Sequence, residues 1–144
     1  MKRPKAAGLL LMTVLACGDP VGPLAGGTYE LVSVDGSPLP VAWPDRAGPL
    51  TLVSEQLLIR GDRFERRRTI VDPANEGTRQ EEVSAGDVVL DDEGRVALRE
   101  DACHPDVLSI CLPHDRAIEI TGGLRVDALT GGSEIPRTLL YGAG

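Results

Sequence analysis

The feature that most narrows what this chain can fold into is its cadence. Short runs rich in β-branched or alternating apolar residues are broken by Gly, Asp or Pro every eight to twelve residues. No stretch carries the apolar spacing of a helix of normal length. The runs predict strands over 28–34, 50–60, 63–71, 78–84, 87–90, 95–99, 107–112, 117–121, 124–129 and 136–141. Between them, Asp35-Gly36, Gly61-Asp62, Gly122-Gly123, Gly131-Gly132 and the acidic run Asp91-Asp92-Glu93-Gly94 supply residues that tolerate positive φ. An all-β antiparallel meander of eight to ten strands in so short a chain is expected to close into a barrel, since closure removes exposed edges; the alternative is a β-sandwich.

The N-terminus has a different character. Lys2, Arg3 and Lys5 precede an apolar run from Ala6 to Ala16, and the small Ala16 stands just before Cys17. That is the layout of a cleavable export signal, too short for a transmembrane helix, which needs about 20 apolar residues. Val14-Leu15-Ala16-Cys17 resembles the lipobox of bacterial lipoprotein precursors. The resemblance implies removal of residues 1–16, acylation of Cys17 and anchoring of the mature chain to a membrane. Ordinary signal-peptidase cleavage at the same bond would instead leave Cys17 as a free N-terminal thiol. Residues 17–27 then form the lipidated cysteine and a Gly/Pro-rich tether, whose ten residues after Cys17 reach at most about 35 Å. Residues 28–144 form the single folded domain. Asp19 lies second after Cys17 rather than first, which points to the outer membrane, with the domain facing the periplasm.

Without residues 1–16 the chain has 12 basic residues, all Arg, against 22 acidic ones, a net charge of −10. Such a field repels nucleic acid and anionic headgroups, so nucleic acid is excluded as a partner. The only aromatics are Tyr29, Trp43, Phe64 and Tyr141, so the core must consist mostly of Val, Leu and Ile.

The segment 27–40, GTYELVSVDGSPLP, resembles the opening of small lipocalin-like domains found in bacterial lipoproteins. Lipocalin-like barrels often begin with Gly-x-Trp and fold an Arg of the last strand over that ring. The resemblance implies a barrel closed by Tyr29 in the ring position and Arg137 as its partner. Most such domains have no assigned activity, so the resemblance speaks to fold more than to function.

Cys103, His104, Cys111 and His114 are the only cluster matching zinc in ligand type, but their spacing fits no common zinc motif. In an exported protein whose third cysteine is acylated, Cys103 and Cys111 are an even pair, and a disulfide is the expected state, with no metal. Arg66-Arg67-Arg68 is the densest positive charge. Strand alternation sends Arg66 and Arg68 to one face with Phe64 and Ile70, either as an anion site in the lumen or as a solvated ladder opposite Glu81 and Glu82. A six-residue connection over 72–77 would pair Arg67 with Glu82 and Arg68 with Glu81. Trp43, in the stiff Pro-flanked loop expected over 40–44, touches the bilayer interface, covers a ligand cavity or plugs one end of the barrel. The turn at 91–94 lacks the alternating ligands of a calcium loop and reads as a hairpin turn.

No nucleophile elbow, phosphate-binding loop or His-Glu-x-x-His helix occurs. The expected function is therefore non-enzymatic and without cofactor: a tethered envelope lipoprotein that holds a small apolar or amphipathic ligand, Phe64, Arg66, Arg68 and Trp43 lining the lumen, or serves as an interaction module. The rival is a metal protein or enzyme built on the Cys/His cluster. The sequence names no protein partner.

Overall fold

The computed structural model describes residues 22–45, 48–101, 115–128 and 137–144. Every regular element among them is a strand: β1 (Gly27–Val34), β2 (Ser37–Pro38), β3 (Val41–Asp45), β4 (Gly48–Arg60), β5 (Arg63–Asp72), β6 (Thr78–Leu90), β7 (Val96–Glu100), β8 (Asp115–Ile120), β9 (Gly123–Ala128) and β10 (Arg137–Ala143). All neighbours are antiparallel. The order runs β1-β10-β9-β8-β7-β6-β5-β4, and a β1–β4 pairing closes the ring into an eight-stranded barrel. The chain is thus a closed meander rather than a sandwich.

β2 and β3 lie outside the ring, paired with β1 and β4 respectively. The segment over 40–44 read as a stiff loop because of its prolines, yet β3 pairs with β4 alone, and an edge strand tolerates Pro because its free side needs no donor. The runs at 78–84 and 87–90 form one strand, β6, through the buried Gly86. A Cβ there would sit 1.9 Å from the Arg99 carbonyl oxygen, so only glycine allows the two backbones to come this close. Cys17 and the segments 102–114 and 129–136, with the expected strand 107–112, lie outside the described residues.

Two bulges fix which side chains point inward. On β4 the register slips between Leu52 and Ser54, so Leu52 and Glu55, three apart, both face the lumen. A similar slip on β1 lies between Leu31 and Ser33. The connection between β5 and β6 has five residues, 73–77, because Asp72 still pairs with Thr78. Glu76 and Gly77 take positive φ there. Arg68 therefore faces Glu82, and Arg67 faces Val83, one residue away from the expected register.

The lumen is packed with Leu, Ile and Val from nearly every strand, including Leu52, Leu57, Ile59, Leu124, Val126 and Leu139, each 0–1 % exposed. Each such side chain contributes roughly 1.5–3 kcal/mol when fully buried. Leu24, assigned to the tether by its Gly/Pro surroundings, is also buried in this core, so the folded unit starts before residue 28.

The expected closure by Tyr29 and Arg137 is not what forms. Tyr29 lies opposite Ala143, near the end of β10, and donates its hydroxyl hydrogen to the Ala25 carbonyl at 2.9 Å. Arg137 begins β10, at the other end of the barrel, and pairs with Asp35 at 3.1 Å. With a phenol in place of an indole, the ring has a hydroxyl to satisfy, and the entering chain at Ala25 satisfies it.

Candidate functional site

Across the middle of the apolar lumen runs a belt of charge. On β4, Glu55 stands between the inward Leu52 and Leu57; on β5, Arg66 and Arg68 stand between Phe64 and Ile70. Alternation puts all four β5 residues on the inner face, as their spacing required. A charged group in such surroundings survives only if it is paired and hydrogen-bonded.

Glu55, 1 % exposed, is the hub. It accepts a 2.6 Å hydrogen bond from Arg68 Nε and a short one from the Tyr141 hydroxyl, and Arg66 Nε lies 3.3 Å away. Burial would raise its proton affinity, but Arg66, Arg68 and the hydrogen bonds from Tyr141 and Arg68 outweigh burial and hold the carboxyl below its ordinary range. Burial and the neighbouring Glu55 push the Tyr141 phenol up, so it stays a donor.

Arg66 reaches past Glu55 to Asp115 at the start of β8, donating from Nη2 at 2.9 Å. Its side chain is 5 % exposed, and among the described residues this is its only hydrogen bond. Among the described residues Nε is buried without one, and Nη1 stands 3.8 Å from the Glu100 carboxylate. Burial, opposed by Arg66 and aided to a smaller extent by Glu100 and Glu55, raises the Asp115 carboxyl. Arg68 lies over the Trp43 ring at 4.8 Å and Arg66 over Phe64 at 5.9 Å. Trp43, 4 % exposed, thus packs on the belt from β3.

A cavity of about 300 Å³ opens beside the belt, lined by Arg66, Arg68, Glu82, Val83, Ser84 and Glu100. The register explains this wall: Arg66 faces Ser84, Arg68 faces Glu82, and Gly86 faces Glu100. Ser84 donates to Glu100 at 3.1 Å, while Arg68 Nη1 and the Glu82 carboxylate stand 4.0 Å apart.

Of the residues singled out from the sequence, Phe64, Arg66, Arg68 and Trp43 come together in the lumen, while Tyr29 and Arg137 stand apart. Arg66 and Arg68 are not a solvated ladder: their main counter-charges are Glu55 and Asp115. Those two and Tyr141 were not anticipated as site residues. Cys17, Cys103, His104, Cys111 and His114 lie outside the described residues; among those described, no group of His, Cys, Asp and Glu is placed to hold a metal. No family model, curated protein or solved structure matches the chain.

Proposed function

We propose that the protein is a non-enzymatic lipoprotein of the cell envelope, anchored by acyl chains on Cys17 at the periplasmic face of the outer membrane, whose barrel binds a small amphipathic molecule by its polar part. The observation that carries the binding reading is Arg66: a deeply buried guanidinium with a single hydrogen bond among the described residues, on the wall of a cavity of about 300 Å³. A buried donor left without an acceptor is costly, so such a cavity favours a guest rich in acceptors. Its volume sits at the lower end of small-molecule sites, about 300–1,000 Å³. The filled Leu/Val part of the lumen argues against a large apolar guest and moves the reading from an apolar ligand to a polar or amphipathic one. The anchor rests on the order of signal, cysteine and tether in the sequence, and a Cys103–Cys111 disulfide is part of the same reading.

Native mass spectrometry of protein extracted from host membranes in mild detergent tests both halves. The expected mass is that of the chain from Cys17 plus acyl groups, with a small molecule bound. An unmodified Cys17 contradicts the anchor, and a ligand-free barrel leaves only the interaction-module reading. Zinc bound stoichiometrically with two free thiols would favour the metal-site alternative at Cys103, His104, Cys111 and His114.

A further inference from the structure

The wall of the cavity has a charge pattern that selects among polar guests. Two guanidinium groups, Arg66 and Arg68, face Glu82 and Glu100 along the wall and Glu55 and Asp115 behind it. Glu55 and Asp115 already balance both arginines. A guest carrying only negative charge would add to an existing excess of carboxylates, and a guest carrying only positive charge would bring no acceptor to the Arg66 Nε that has none among the described residues.

Two gaps in this wall have the same form. Arg66 Nη1 and Glu100 Oε1 are 3.8 Å apart, and Arg68 Nη1 and Glu82 Oε2 are 4.0 Å apart. Both separations exceed the roughly 2.7–3.2 Å of a hydrogen bond, so these pairs are near each other without being joined. Each gap offers a donor on one side and an acceptor on the other. A guest bridges such a gap when its own carboxylate and ammonium are a short bond path apart: the carboxylate takes the guanidinium N–H groups and the ammonium the Glu oxygens. Glu82 and Glu100 have side chains 54 % and 42 % exposed, so they stand at the entrance, with the arginines deeper. The guest would enter carboxylate first.

We propose that the cavity beside Arg66 and Arg68 binds a small zwitterion of the α-amino-acid class, its carboxylate held by the two guanidinium groups and its ammonium by Glu82 and Glu100. This deepens the ligand-binding reading above and rests on it. The zwitterion leaves the local charge unchanged, fills the gaps that water alone would otherwise bridge, and supplies Arg66 with an acceptor beyond Asp115.

Isothermal titration of the mature, lipidated protein in nanodiscs tests this, using the common L-amino acids and, for any that binds, its N-acetyl and amide derivatives. At least one amino acid should bind, and removal of either charge should weaken it about tenfold or more, the equivalent of one charge-assisted hydrogen bond. The double variant E82Q/E100Q changes only residues at the rim and should fold normally. It should weaken the zwitterion about tenfold while the N-acetyl form, an anion that no longer meets these two carboxylates, binds no more weakly than before. Equal binding of the N-acetyl form makes this an anion site, equal binding of the amide makes it a cation site, and no binding by any amino acid leaves only water; each overturns the inference. If native mass spectrometry finds a different small molecule while the amino acids fail, the ligand-binding reading stands and this inference falls.

Discussion

The barrel solves the same electrostatic problem twice, in two settings. On its outer face, Arg63 bridges Asp87 and Asp101, at 2.6 and 2.5 Å, and Arg99 reaches Asp87 at 3.0 Å. In its lumen, Glu55 bridges Arg66 and Arg68, at 3.3 and 2.6 Å. The distances alone would rank the outer cluster as the better bonded. Solvent reverses the consequence. The outer side chains are 37–50 % exposed, so water and salt substitute for any partner that is lost. Glu55 and Arg66 have no such substitute, and a missing partner there is a buried, uncompensated charge. Imperfect pairing on the surface is ordinary; imperfect pairing of Arg66 in the interior is the observation on which the proposed guest rests.

The largest effect should come from removing the hub. Glu55→Ala leaves Arg66 and Arg68 without their shared carboxylate and is expected to destabilise the barrel by about 3–5 kcal/mol, read as a lower denaturant midpoint. A loss no larger than that of a surface substitution would mean that water reaches the belt. Next, Tyr141→Phe removes the hydroxyl donor to Glu55 while Arg68 remains. A loss of about 1.5–3 kcal/mol is expected, the usual range for a hydrogen bond to a charged group.

Acid should separate two carboxylates of the same belt. Glu55, lowered in the fold from its ordinary 4.5, contributes stability that is present above pH 4.5 and lost as pH falls through its lowered value. Asp115 is raised from 3.8, so its contribution has the opposite sign: it is present below pH 3.8 and lost as pH rises through the raised value. Denaturation midpoints across this acidic range should therefore fall less steeply towards low pH in Glu55→Gln than in the parent, and more steeply in Asp115→Asn. The same direction of change in both variants would break the assignment. The smallest effect is expected outside: Asp87→Asn should scarcely move the midpoint, and any change should fade with added salt, whereas the Glu55→Ala loss should persist.

Much of the architecture was legible because a period of two is hard to disguise. The turns at Asp35-Gly36 and Gly61-Asp62 carry the expected positive φ at Asp35, Gly36 and Gly61, and the alternation of Phe64, Arg66, Arg68 and Ile70 gave their common face. What was hidden lay where the period breaks. Counted from Leu57 and Ile59, Glu55 falls on the inner face; counted from Leu52, it falls on the outer, and only the bulge reconciles the two. The connection over 73–77 differs from the expected one by a single residue, which is enough to shift every partner of β5 on β6. Asp115 could not be found by pattern, because it meets Arg66 across the lumen from a strand 49 residues away. Tyr29 shows the limit of resemblance: its hydroxyl bonds the backbone at Ala25, and Arg137 stands at the other end of the barrel.

The comparison between the two clusters is tested most directly by NMR of the arginine Nε–H groups during titration with the tightest-binding amino acid. The account predicts that the Arg66 and Arg68 signals shift saturably with the calorimetric affinity, while those of Arg63 and Arg99 stay where they are. Movement of Arg63 and Arg99 instead, or no movement of Arg66 at saturating ligand, would contradict it.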